Sequence, residues 1–153
     1  MTLEQQLQLI IDDAANHNVP PAVIEKAIAP VLKSYAEQLQ RLEYYVLQNL
    51  NEDWILTTIT NPLLQQTKKV IYAFISVQDA ANFQGTADPN LIAMPISVVQ
   101  LLFRLFSLQQ VDSIIFLEDS QHPNQGVEIE RESLSQLIRQ QLEQLRQMPP
   151  NIA

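Results

Sequence analysis

The segment Lys69–Ser76 constrains the fold more than any other part of this sequence. Apolar side chains occupy both faces of the segment when the chain is extended, with Val70, Tyr72 and Phe74 on one face and Ile71, Ala73 and Ile75 on the other. A strand without a polar face must be covered on both sides. The segment Ser113–Leu117 is also nearly all apolar and predicts a second buried strand.

The elements predicted around these two strands include both helices and strands. Residues 54–60 are rich in β-branched and aromatic residues and predict a strand. From there on, the predicted order is strands 54–60 and 69–76, helix 78–83, strand 91–94, helix 96–108, strands 113–117 and 127–129, and helix 131–147. This order predicts an α+β fold in which helices pack on a four- to five-stranded mixed sheet. The first two strands are expected to form an antiparallel pair.

Residues 1–50 predict two helices that precede the sheet. Thr2 and Gln5 match the T-x-x-Q capping box of a first helix. Pro21 suits the start of a second helix, and Pro30 either kinks that helix or begins a new one. The helix is expected to run through residues 31–49, because apolar residues recur three and four positions apart: Leu32, Tyr35, Leu39, Leu42 and Val46.

The chain is expected to form a single domain. It would comprise a helical extension at residues 1–50, a core at residues 51–148 and a frayed tail at residues 149–153. The helix predicted at residues 31–49 either packs on its own core or forms the seam of a homodimer. Both a monomer and a homodimer therefore remain open.

Composition and charge argue against several functional classes. The chain has 153 residues, no cysteine and a net charge of −8, and its nine Lys and Arg residues are scattered. The absence of cysteine excludes disulfides and thiol chemistry. A negative chain without a basic patch is a poor match for nucleic acid or for an anionic membrane. The N-terminus lacks the pattern of a signal peptide and no apolar run is long enough to span a bilayer, so a cytoplasmic location is expected.

Residues able to carry catalysis are few. The chain has two histidines, His17 and His122, and two glycines, Gly85 and Gly126, so neither a zinc motif nor a Gly-rich phosphate loop is present. No catalytic residue, metal or cofactor is therefore predicted, and the protein is expected not to be an enzyme. The alternative is a small hydrolase or ligand-binding enzyme whose site is assembled only in three dimensions. Such a site would hold His17 or His122 beside a carboxylate in a pocket.

Four residues are candidates for binding another protein. Tyr44, Tyr45 and Trp54 cluster near the predicted junction between helix and sheet, and Arg104 interrupts the apolar segment LLFRLF. Trp, Tyr and Arg are the residue types that most often anchor protein interfaces. Packing in the core, or an exposed arginine whose stem lies over apolar neighbours, explains the same residues without a partner.

The core resembles the SseB N-terminal-domain family over roughly residues 54–145. The similarity is carried by the segments 69–76, 78–83, 94–97, 101–102, 111–115 and 127–134. The chain departs from the family at Glu118-Asp119-Ser120, where the family has an N-P-G-G-type turn, and the helical extension lies outside the pattern. The resemblance implies an α+β core and no catalytic residues.

The glutamine-rich composition, small acidic size and helical extension are also similar to those of the CcmS-type carboxysome assembly factors of cyanobacteria. This second resemblance implies a carboxysome shell protein as the partner. Together these observations predict a non-enzymatic adaptor or assembly factor that binds a peptide segment or protein surface. Binding is expected in a groove between the long helix and the sheet or by addition of a strand to a sheet edge.

Overall fold

A computed structural model of the chain describes residues 1–84, 88–119 and 126–147. The helices are α1 Leu3–Asp12, α2 Pro21–Val23, α3 Ala29–Ala36, α4 Val77–Gln84, α5 Val98–Ser107 and α6 Arg131–Gln147. The strands are β1 Glu43–Gln48, β2 Thr57–Asn61, β3 Gln66–Phe74, β4 Ile92–Ser97, β5 Ser113–Leu117 and β6 Val127–Glu130. The predicted α+β class is confirmed, with six strands in a mixed sheet. His122 and the expected frayed tail at residues 149–153 lie outside the described residues.

The sheet has the strand order β4-β1-β3-β5-β6, and β2 also pairs with β3. Strands β3 and β5 are parallel, with Val70 opposite Ser113 and Phe74 opposite Leu117. The other pairs are antiparallel, including the predicted pair of β2 and β3. As predicted for a strand without a polar face, β3 is covered on both faces: Ile71 and Ala73 belong to the main core and Phe74 to the smaller cluster on the other face.

The two faces of the sheet are covered unequally. One face packs against α1, α3, α5 and α6 and contributes these buried side chains to the main core: Tyr44, Val46, Ile71, Ala73, Ile114, Phe116 and Ile129. The opposite face packs against α4 in a smaller cluster around Phe74, Ala80 and Leu117. The face covered by α1, α3, α5 and α6 therefore contains most of the apolar core.

The N-terminal helices form largely as the sequence predicts. The capping box is present, because the Gln5 N–H donates to Thr2 Oγ1 at 3.2 Å and the Thr2 N–H donates to Gln5 Oε1 at 2.9 Å. Pro21 is the first residue of α2. A π-helical turn at Ile24–Ile28 joins α2 to α3, so the chain stays helical through Pro30. A π turn adapts the backbone where a regular helix would need the missing proline N–H.

The prediction of a helix at residues 31–49 is wrong, and so is an all-helical segment up to residue 50. Helix α3 ends at Ala36, and Glu43–Gln48 form strand β1 between β3 and β4. Tyr44 and Val46 are buried, whereas Tyr45 and Leu47 are half-buried, which is the two-residue period of a strand. The aromatic and β-branched residues of this segment favour a strand. The helical dimer seam proposed for residues 31–49 therefore does not exist.

Two further boundaries differ from the prediction. Trp54 makes an isolated bridge with Gln48, and the regular strand begins at Thr57 instead of Trp54. Pro95 falls between the predicted strand 91–94 and the predicted helix 96–108, but it lies inside β4, opposite Tyr45. An edge strand tolerates proline because one side of its backbone has no partner strand. The N-cap of α5 is Ser97, whose Oγ accepts the Gln100 N–H at 3.3 Å.

Candidate functional site

The structure brings together two of the four predicted binding residues. Arg104 lies over the indole ring of Trp54, with 4.0 Å between the guanidinium carbon and the ring centroid. Tyr44 is fully buried on the face of the sheet that α1, α3, α5 and α6 cover. Tyr45 is half-buried and packs with the cluster on the opposite face. The predicted cluster of Tyr44, Tyr45 and Trp54 is therefore split between the two faces.

Trp54 and Arg104 line an open groove of about 680 Å³, here called the Trp54 groove. It lies between the chain entering β2 and the end of α5 with the loop that follows. Its lining residues are Asp53, Trp54, Leu56, Ile71, Arg104, Ser107, Leu108, Gln109, Gln110 and Val111. The apolar face of α5 is buried against the sheet, which leaves Arg104 and Ser107 exposed on its outer face. The groove therefore combines an apolar floor with polar walls.

The Arg104 guanidinium has no carboxylate within ion-pair distance and no hydrogen-bond acceptor in the described part of the chain. Burial lowers its pKa from the ordinary value, and the charge of Asp53 acts in the opposite direction. The side chain stays charged at neutral pH, because arginine does not deprotonate in proteins. Its position depends on the stack with Trp54, a geometry that attracts a cation to the ring face. Arg104 is thus a positioned cation with unused donors.

Trp54 itself is mostly core. Its side chain is only 8% exposed and belongs to the main apolar cluster. Its Nε1 donor is buried and has no hydrogen-bond partner among the described residues. Most buried indole N–H groups are satisfied, so an orphan donor in the wall of a groove is unusual.

Tyr44 has a structural role that the sequence did not reveal. Its hydroxyl donates to Glu118 Oε1, which also accepts the Gln40 N–H at 3.0 Å. Burial raises the pKa of the Tyr44 hydroxyl, and the hydrogen bond to Glu118 and the charge of that carboxylate raise it further. The phenol therefore stays protonated and joins the start of β1 to the end of β5.

A second polar cluster lies at the other end of β5. Glu128 Oε2 accepts hydrogen bonds from Ser113 Oγ at 2.6 Å and from Lys68 Nζ at 2.7 Å. Burial on its own would raise the pKa of the Glu128 carboxyl, but the hydrogen bonds from Lys68 and Ser113 and the charge of Lys68 together lower it. The cluster joins β3, β5 and β6, and its serine, Ser113, is fully buried.

We expect Glu128→Gln to lower the free energy of unfolding by about 1 kcal/mol at pH 7. A carboxyl with a lowered folded pKa stabilises the protein above its unfolded pKa, and this contribution is lost as the pH falls through the folded value. The difference between wild type and variant should therefore shrink below about pH 4. Urea denaturation across a pH series measures it.

The control for this prediction is Glu132→Gln. Glu132 is 67% exposed and pairs with Arg139 at 3.3 Å, so its replacement is expected to leave stability nearly unchanged at every pH. A loss from Glu128→Gln that persisted undiminished at pH 3 would contradict the assigned ion pair.

Of the two histidines, the structure describes His17. His17 is exposed, with its Nε2 3.1 Å from Asp13 Oδ2 and its ring edge-on to Phe103. It is not among the residues that line the Trp54 groove. The part of the chain that the structure describes holds no group of three or more acidic or histidine ligands suited to a metal ion.

Sequence reasoning also missed a buried glutamine. Gln6 is 4% exposed, and its side chain joins two separate segments. Its Nε2 donates to the Leu42 carbonyl at 3.0 Å, and its Oε1 accepts the Val99 N–H at 3.2 Å. Its burial could have been predicted from its position on the apolar stripe of α1, between Leu3 and Leu7.

No protein-family model and no curated protein matches this chain. Within residues 1–84, 88–119 and 126–147, no helix combines the length and the apolar character needed to cross a bilayer.

Proposed function

We propose that this protein is a non-enzymatic adaptor or assembly factor that binds a peptide segment of another protein in the Trp54 groove. The observation that supports the proposal most is the stack of Arg104 on Trp54, at 4.0 Å, in the wall of an open groove of about 680 Å³. Trp and Arg are the residues most enriched at the energetic centres of interfaces. Leu56, which is 38% exposed, adds apolar surface at the rim.

A groove suits this chain better than strand addition at the β4 edge. Along two antiparallel strands, residue pairs that are hydrogen-bonded to each other alternate with pairs that are not. The Val98 N–H donates to the Leu42 carbonyl at 2.9 Å, directly beyond the paired residues Glu43 and Ser97. By that alternation Pro95 turns its backbone outward, where it has no N–H to give an incoming strand. A proline in this position protects a sheet edge against pairing.

The partner we propose follows from the resemblance to CcmS-type assembly factors. It is a carboxysome shell protein, bound in the cytoplasm through an extended or helical segment. The resemblance to the SseB N-terminal-domain family adds a core without agreed catalytic residues. The net charge of −8 supports a protein partner over nucleic acid.

The test is an affinity pull-down from a lysate of the source cell, followed by mass spectrometry and by binding measurements with the purified partner. Two groove variants, Arg104→Ala and Leu56→Asp, are expected to weaken binding about tenfold or more. Both positions are partly exposed, so neither replacement is expected to unfold the chain.

The matched control is Leu50→Asp. Leu50 is 63% exposed and is not among the groove residues, so its replacement is expected to leave binding unchanged. Capture of a shell protein that depends on the groove variants would support the full proposal. Equal capture by all variants, or no specific protein retained, would contradict binding in the groove.

A further inference from the structure

The charges of the Trp54 groove limit what it can bind. Among the described residues that line it, Arg104 is the one cation and Asp53 the one carboxylate. Their charges interact, because Asp53 raises the pKa of Arg104, but the two groups are not in ion-pair contact. The groove therefore presents an unneutralised guanidinium to any bound segment.

The guanidinium is also placed against the Trp54 ring. Its carbon lies over the ring, 4.0 Å from the centroid, and its N–H groups have no hydrogen-bond acceptor among the described residues. A guanidinium has five N–H donors in a plane, and a carboxylate can accept two of them side by side. Stacking lowers the entropy that Arg104 would lose on binding, since the side chain is already placed.

We infer that the Trp54 groove recognises an acidic side chain of its partner segment, with Arg104 as the anchor of an aspartate or glutamate. The inference rests on the proposed function and adds the chemistry of the bound residue. Apolar neighbours of that acidic residue would contact Leu56 and Leu108. Ser107, Gln109 and Gln110 offer further hydrogen-bonding groups along the wall.

The Asp53 carboxylate is expected to weaken the binding of an acidic residue at Arg104. It repels a bound acid and attracts the same guanidinium, so it competes with the ligand. Removing that charge by Asp53→Asn is expected to strengthen the binding of an acidic segment by about threefold and to leave an uncharged segment unaffected. A purely apolar binding mode would not produce this difference.

The test uses two capped tripeptides, acetyl-Leu-Asp-Leu-amide and acetyl-Leu-Asn-Leu-amide, titrated into the ¹⁵N-labelled full chain. The Nε–H of Arg104 and the indole N–H of Trp54, the single tryptophan, report directly on the site. The Asp peptide is expected to shift both signals to saturation and to bind about tenfold more tightly than the Asn peptide. Its affinity should fall as salt rises.

Two arginine variants and one control complete the experiment. Arg104→Gln is expected to abolish the preference for the Asp peptide, and Arg104→Lys to retain only part of it, because lysine lacks the planar donor pair. Leu50→Asp should bind both peptides as wild type does. The backbone spectra of the variants verify that each one is folded.

Two results would overturn the acidic anchor. One is equal binding of the two peptides, and the other is the absence of any shift at millimolar peptide. In either case a partner that still depends on Leu56 would leave the proposed function standing. The opposite pattern, a clear Asp preference without any protein captured through the groove, would support the anchor and count against the adaptor function.

Discussion

Tyr44→Ala is expected to lower the free energy of unfolding by about 3–5 kcal/mol. The ring is fully buried and lies edge-on to Phe116, with 4.9 Å between their centroids. Its removal leaves a cavity beneath β1 and takes one of two donors from Glu118. Urea denaturation followed by the fluorescence of Trp54 measures the change, since the chain contains one tryptophan.

Tyr45→Ala is the matched control, because the adjacent residue is half-buried on the opposite face of the sheet. A loss of only about 1–2 kcal/mol is expected there. Tyr44→Phe keeps the ring and should cost about 1 kcal/mol for the lost hydrogen bond. Equal losses at Tyr44 and Tyr45 would contradict the strand and favour a helix with two half-exposed tyrosines.

Gln6→Leu is expected to lower the free energy of unfolding by about 1–3 kcal/mol. The replacement preserves apolar volume but leaves the Val99 N–H without its acceptor. The Leu42 carbonyl loses one of its donors and keeps the bond from the Val98 N–H at 2.9 Å. Val99 is fully buried, so water replaces the lost bond to its N–H poorly. Denaturation measures the loss, and faster hydrogen exchange at the Val99 amide should locate it.

Gln8→Leu serves as the control on the same helix. Gln8 is exposed and donates to Asp12 Oδ1 at 2.9 Å on the outer surface of α1. Its replacement is expected to change stability by no more than about 0.5 kcal/mol. A comparable loss from the two variants would show that helix propensity, and not the buried hydrogen bonds, sets the effect.

The sequence predicts well those segments in which the spacing of the apolar residues fits either a strand or a helix but not both. The apolar segment at Ser113–Leu117 is too short for a helix and is a strand. Helix α6 follows a long stripe of leucines and has the predicted bounds, Arg131–Gln147. The antiparallel pairing of β2 with β3 follows from two β-rich segments joined by a short turn.

The sequence could not resolve residues 31–49, because the apolar residues there fit both the spacing of a helix and that of a strand. Leu32, Leu39 and Val46 fit a helical stripe, while Tyr44 and Val46 also fit a strand. No glycine or proline between Val31 and Asn49 marks the end of α3. The choice between the two is made by tertiary pairing, because β1 fills the gap between β3 and β4.

The candidate site was predictable by residue type but not by position. Trp54 and Arg104 were named because such residues anchor interfaces, and the structure places them in contact. Tyr44 and Tyr45 were named for the same reason, yet the pleat of β1 sends them to opposite faces. The contacts made by Glu118 and Gln6 join residues far apart in the chain, which no local pattern reveals.

The place of β1 in the sheet also sets the order in which the chain can fold during synthesis. Both strands that flank β1 are translated after it, and the second of them, β4, is complete only at Ser97. Until then a nascent chain carries Tyr44 and Val46 on a strand with an open edge. Such a strand is prone to incorrect pairing while the ribosome is still at work. Strand β1 can therefore be paired on both sides only after Ser97 has been synthesised.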